Sequence, residues 1–174
     1  LILADLEING APRKIIMQAP KNGFFYVLDR ATGELLSAKN FMPVNWASGV
    51  DRKTGRPIEN PDARWPGKAP YLQIPGPLGA HNWHPMSFSP RTGLVYIPAQ
   101  QIPFAFGDVG DFKEKKGGWN TGANFALGTL PDDEATAKAL RSMLQGRLIA
   151  WDPVKQEARW TVEHFGPWNG GVLS

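Results

Sequence analysis

One five-residue turn recurs along this chain, each time beside a short apolar run. Asp29-Arg-Ala-Thr-Gly33 follows FFYVL, Ser89-Pro-Arg-Thr-Gly93 precedes LVYI, and Asp152-Pro-Val-Lys-Gln156 follows RLIAW. Asp or Ser opens such a turn by bonding its own backbone, Pro fits the next position, and Gly supplies a positive φ. With starts at Asp29, Ser89 and Asp152 the three turns are almost evenly spaced, and a fourth copy, Asp51 to Gly55, falls off that spacing. Turn plus flanking strand at nearly one spacing predicts a repeated antiparallel sheet unit with long insertions, arranged radially as in a propeller.

The strand candidates are residues 13–19, 24–28, 94–97 and 147–151, β-branched or aromatic and bounded by Gly, Pro or Asp. Most are nearly continuous apolar runs, the pattern of strands buried on both faces. Nineteen glycines, sixteen prolines and seven tryptophans suit short strands and tight loops better than a helical bundle. Six of the prolines fall in residues 57–79, which predicts a surface excursion rather than a central strand. One helix is expected near 133–145. Acids occupy its first turn, Gly146 follows its end, and Ala137, Leu140 and Leu144 share one face.

The charge balance is too even to indicate a nucleic-acid partner, with a net charge of +3. No apolar run is long enough to span a membrane as a helix. The start carries no basic stretch followed by an apolar one, so no signal peptide is expected within it. The absence of cysteine excludes a disulfide, Cys-ligated zinc, an iron–sulfur cluster, a thiol nucleophile and a Cys-x-x-Cys-His haem attachment within these 174 residues.

His81-Asn-Trp-His-Pro85 is the densest polar and aromatic cluster. Pro85 argues against a helix there, and no third ligand stands nearby, so its side chains are expected to bond backbone or a ligand rather than a metal. Lys21-Asn22-Gly23 lies between two strand candidates and reads as a hairpin turn with Asn-Gly at its tip. Trp119-Asn120 and Trp168-Asn169 repeat a Trp-Asn pair whose default reading is packing at sheet edges. Composition and spacing reach a β-rich repeat with one helix and name no reaction.

Four segments carry a resemblance: Gln18 to Gly33, Val44-Asn-Trp-Ala-Ser-Gly49, Gly79-Ala-His-Asn-Trp-His-Pro-Met-Ser-Phe88 and Gly166-Pro-Trp-Asn-Gly-Gly171. Over almost the whole chain the sequence resembles the pyrroloquinoline quinone (PQQ) alcohol dehydrogenases, above all the quinohaemoprotein branch. The resemblance implies an all-β fold, about three blades of an eight-bladed propeller with one inserted helix. Ala150, Asp152 and Trp160 match that family's tryptophan-docking motif, while Lys155 and Gln156 replace its Thr-Gly. Residues 1–174 are then a partial propeller domain without the haem domain. The catalytic Asp, the calcium ligands and a vicinal Cys pair would belong to chain before Leu1, so no catalytic or metal-binding residue is expected here.

Carried over by position, Lys21 looks like the family's basic residue at the quinone oxygens, and Asn82 and Trp83 like the pair that hydrogen-bonds PQQ. The implied parent is a periplasmic, calcium-dependent enzyme. It would oxidise primary alcohols to aldehydes and pass electrons through haem c to a cytochrome or quinone, in some members within a membrane-associated complex. This segment alone is expected to be inactive. The alternatives are a PQQ dehydrogenase for aldehydes, polyols or sugars, and a non-catalytic propeller scaffold that binds proteins.

Overall fold

A computed structural model describes residues 1–167 and 170–174. Its framework is two four-stranded antiparallel sheets, each a meander in chain order. The first comprises β1 (Ile2–Ile8), β2 (Ala11–Gln18), β3 (Phe24–Asp29) and β4 (Leu35–Asn40). Residues between the sheets add β5 (Ala47–Val50), paired with β6 (Pro57–Glu59), and the short β7 (Tyr71–Gln73). The second sheet starts with β8 (Ser87–Ser89) and β9 (Leu94–Gln101). A long excursion then carries β10 (Phe104–Phe106), which pairs with β7, and the helix α1 (Glu134–Ser142). The sheet is completed by β11 (Gln145–Asp152) and β12 (Glu157–Phe165).

The expected arc thus resolves into two complete sheets and two small ribbons, an all-β propeller arc with one inserted helix. Residues 57–79 are mostly loop, as their prolines require. Their two three-residue strands pair only in ribbons, where a strand has an open side to hold Pro.

Each apolar run found in the sequence is a strand, and β3 is buried at alternate and adjacent positions alike. Ile15, Met17, Phe25 and Val27 of the first sheet pack with Val95, Ile97, Ile149 and Trp151 of the second in one core. Phe25 and Trp151 meet across it with ring centroids 5.8 Å apart. Each such side chain contributes roughly 1.5–3 kcal/mol by leaving water. Strand β1 shows a strict alternation, with Ile2, Ala4, Leu6 and Ile8 turned toward that core.

Three local expectations are corrected. The two-residue Asn-Gly hairpin tip is Asn9-Gly10, both at positive φ (53° and 76°), joining β1 to β2. The Lys21–Gly23 stretch does lie in a hairpin turn between antiparallel β2 and β3, but Asn22-Gly23 ends a five-residue connection instead of forming its tip; only the glycine is left-handed, and Gly23 N–H donates to Pro20 O. Helix α1 is shorter than its sequence pattern. Asp133 caps its start by accepting from Thr136 N–H, and Met143 ends it. Gly146, read as the residue after the helix, is a strand residue of β11 opposite Gln100. Trp119 is not sheet-edge packing: it stands 88% exposed in the excursion, edge-on to Phe125. The Trp168-Asn169 pair lies outside the described residues.

The near-even spacing of the turns is not the blade period. The Asp29 and Asp152 turns are third hairpins of their sheets, β3–β4 and β11–β12, whereas the Ser89 turn is a first hairpin, β8–β9. A meander needs a tight turn at every hairpin, so turn chemistry marks a hairpin without marking its place in a blade.

Candidate functional site

In a meander, alternate connections share an end of the sheet. The β2–β3 turn, residues 19–23, therefore lies opposite the Asp29 turn, and the segment entering β8, residues 81–86, lies opposite the Ser89 turn. Those two site-bearing connections meet. Ala80 N–H donates to Lys21 O at 3.0 Å, and Gln100 N–H donates to Ala80 O at 2.7 Å, so residues 78–84 thread between the first sheet's turn and β9. The long β9–β11 excursion leaves the second sheet from the same end.

Between them is a cleft of about 480 Å³ lined by Gln18 to Lys21, by His81 to Met86 and by Leu1. Lys21, Asn82 and Trp83, the three residues singled out from the sequence, all line it. The Lys21 ammonium donates to Pro77 O at 3.2 Å, leaving two of its three N–H groups for other acceptors. The Asn82 amide donates one N–H to Leu78 O at 3.1 Å, leaving its second N–H and its carbonyl. Trp83 is 66% exposed, its ring 5.6 Å from that of His84. Among the described residues no carboxylate lines the cleft. Its donor set, an ammonium, an amide and an indole, suits an anionic planar ligand rich in carbonyl oxygens. PQQ, a tricarboxylate ortho-quinone, fits that description.

Sequence reasoning missed Gly79 and Gln100 among the groups that hold these three, whereas His81 belongs to the cluster expected to bond backbone. Gly79 has φ +80°, and a Cβ there would sit 2.5–2.6 Å from Lys21 Cα, Cβ and Cγ, so only glycine lets the lysine turn pass. Gln100 is buried, and its amide donates to Leu78 O and Gly79 O, both at 3.2 Å. The His81 ring is buried between Ala19 O and His84 O. Burial pushes its imidazole below the usual histidine range, against the pull of those two carbonyls. No motif marks Gln100, which sits near the end of β9, well beyond Asn82 in the sequence.

Among the described residues no group of three or more His, Asp or Glu is placed to hold a metal. A second hollow of about 290 Å³ lies by Trp46 and Trp65, but its charges satisfy each other: Arg64 donates twice to the Glu59 carboxylate, at 2.6 and 2.7 Å.

A propeller arc with a cleft at one end of its sheets has counterparts among known proteins, and over its whole length the chain is similar to quinone-dependent alcohol dehydrogenases. No protein-family model matches it. It is 53% identical over its full length to the quinohemoprotein alcohol dehydrogenase of Comamonas testosteroni, and 52% identical to the dehydrogenase subunit of the alcohol dehydrogenase (quinone) of Komagataeibacter europaeus. It spans about a quarter of those relatives' length, 24% in each case. The solved structure of the quinohemoprotein alcohol dehydrogenase ADHIIG of Pseudomonas putida superposes on 99% of the chain, with a TM-score of 0.91 at 47% identity and 26% of that chain covered. A europium-containing methanol dehydrogenase matches 95% of the chain, and 28% of its own, with a TM-score of 0.76 at 30% identity. In sequence and in fold, the chain is homologous throughout to the propeller of the quinohaemoprotein alcohol dehydrogenases.

Proposed function

We propose that these residues form part of the cofactor floor of a PQQ-dependent alcohol dehydrogenase. The observation that carries the reading is the convergence of Lys21 with Asn82 and Trp83, from connections of two different sheets, in one cleft whose described lining holds no carboxylate. Bound there, the quinone would supply the two-electron chemistry, and the protein supplies orientation and field. The Lys21 ammonium would stand by the quinone oxygens and favour charge gathering on them. Asn82 and Trp83 would orient the ring through amide and indole hydrogen bonds.

The parent, on this reading, works in the periplasm with calcium, oxidises primary alcohols to aldehydes and hands electrons to haem c. A relative 49% identical to the chain, from Thauera butanivorans, is a 1-butanol dehydrogenase (cytochrome c). The base and the calcium ligands would lie elsewhere in the parent, so residues 1–174 alone would turn nothing over.

Steady-state alcohol oxidation with a PQQ titration of the full-length protein tests this. Lys21→Ala should lower kcat by 10²–10³, about 3 kcal/mol, more than it weakens PQQ binding, because the ammonium acts mainly on the reduced, charged quinone. Asn82→Ala should weaken PQQ binding instead. Unchanged kcat in Lys21→Ala at saturating PQQ would reduce the lysine to an ordinary turn residue.

A further inference from the structure

Both ring nitrogens of His81 face carbonyl oxygens. Nδ1 is 2.5 Å from Ala19 O and Nε2 is 2.7 Å from His84 O. A carbonyl oxygen only accepts, and a neutral imidazole has one N–H. The neutral ring can serve one of these carbonyls and must turn a lone pair on the other. Only the imidazolium, with two N–H groups, satisfies both.

The two carbonyls belong to the two halves of the cleft. Ala19 lies just before Lys21 in the β2–β3 turn, and His84 follows Asn82-Trp83 in the segment entering β8. We propose that His81, the residue before Asn82, is a pH-sensitive positioning residue: protonated, its ring at once ties its own segment to the Lys21 turn through Ala19 O and braces the Asn82–Trp83 loop through His84 O, and deprotonated it gives up one of these two contacts.

The groups around the ring bias it. His84 acts on it electrostatically, and burial opposes its charge before that. Lys21 shares the cleft from the β2–β3 side. From β9 comes Gln100, which is uncharged and donates to the 78–79 carbonyls. Among the described residues these groups are cationic or neutral, and an anionic ligand in the cleft would add counter-charge that favours the imidazolium. An anionic quinone supplies it. Its binding and the protonation of His81 then reinforce one another, and affinity falls as pH rises through the ring's titration. Only the choice of ligand rests on the cofactor reading above; the ring's protonation is a property of the protein alone.

The test uses the full-length protein with histidine selectively labelled with ¹³C and ¹⁵N, and PQQ as the probe at fixed calcium. Ring ¹⁵N shifts followed from about pH 4.5 to 8 should show one histidine, absent in His81→Gln, with two N–H groups at low pH and one above its midpoint. PQQ affinity of the cofactor-free protein should fall roughly tenfold across that midpoint, as a one-unit shift of the ring on binding implies. In His81→Gln the affinity should be low and level.

A His81 ring with a single N–H throughout overturns the proposal. So does an affinity step that survives in His81→Gln or vanishes in His84→Gln. If His81→Gln does not fold, the wild-type protein decides: the ring midpoint and the affinity step coincide, or the proposal fails. A ring that titrates as described in a protein that never binds PQQ would overturn the cofactor reading and leave the bridge standing.

Discussion

Gly79 shows how narrow the tolerance of the cleft is. A methyl group there would overlap three carbons of Lys21 at 2.5–2.6 Å, one of them backbone, on a residue already at φ +80°. Gly79→Ala in the full-length protein should therefore displace the lysine turn and lower kcat by at least tenfold, the scale expected when a positioned group moves by about 1 Å. PQQ content, read from the cofactor's absorbance, should fall less than kcat. Equal losses would mean that the whole loop has unfolded. The sequence shows this glycine beside the His81–Pro85 cluster, yet nothing local says what it approaches. Lys21 is remote from it along the chain, and the close approach exists only once the first sheet's turn and the entry to β8 are brought together.

At the scale of the element, four turns share one construction. The N–H of the fifth residue donates to the carbonyl of the first, at 2.8–2.9 Å, for Gly33, Gly55, Gly93 and Gln156. In three of them the Asp side chain also accepts from two backbone N–H groups of the turn. The fifth residue is left-handed each time, at φ 57–78°. Gln156 holds that conformation with a Cβ, at a strain of about 1–2 kcal/mol, and its amide donates to Pro153 O at 2.9 Å. Gln156→Gly removes the strain with the hydrogen bond, whereas Gln156→Ala keeps the strain and loses the bond. Urea unfolding of the full-length protein should place Gly above Ala by about 1 kcal/mol.

The Asp29 carboxyl is held below the usual carboxylate range, first by the Ala31 N–H and then by Arg13. A lowered native pKa stabilises at pH above the unfolded value of about 3.9, and that contribution is lost as pH falls through the native one. Asp29→Asn should therefore lower Tm at pH 7, and the difference should shrink below about pH 4. A gap that is constant with pH would contradict this. The turns were legible in the sequence because Asp, Thr and Gly act on their own backbone. Their place in a blade was not, because the same chemistry closes first and third hairpins alike.

Across the whole molecule, the two sheets bury one face against each other and leave the rest open. Every residue of β12 is exposed, with Val162 at 49% and Phe165 at 110%, and Leu1 and Leu3 are exposed at the other sheet. Trp160, the residue that matches the docking motif, lies 5.8 Å from Tyr96 yet is 43% exposed. A propeller blade normally covers such a face with its neighbour. Residues 1–174 expressed alone should therefore aggregate or stay partly unfolded, with strong binding of a hydrophobic dye. A monomer with a single cooperative melting transition would contradict this.

What the sequence determined by itself is local: which short runs are strands, where turns and the helix start, and that the 57–79 stretch is no central strand. Those follow from side chains acting on their near neighbours in the chain. Even at that range β1 is hard to read, although ILADLEI alternates as a half-buried strand does, because its exposed face includes Leu3 beside Asp5 and Glu7. The tertiary structure alone decided that the Lys21 turn and the Asn82–Trp83 segment share a cleft, that Gly79 admits the lysine, and that the His81 ring reaches across to Ala19 O. Each of those joins the first sheet's turn to the entry of the second sheet, segments far apart in the chain. Packing two separately formed sheets through a common core is what brings them into contact.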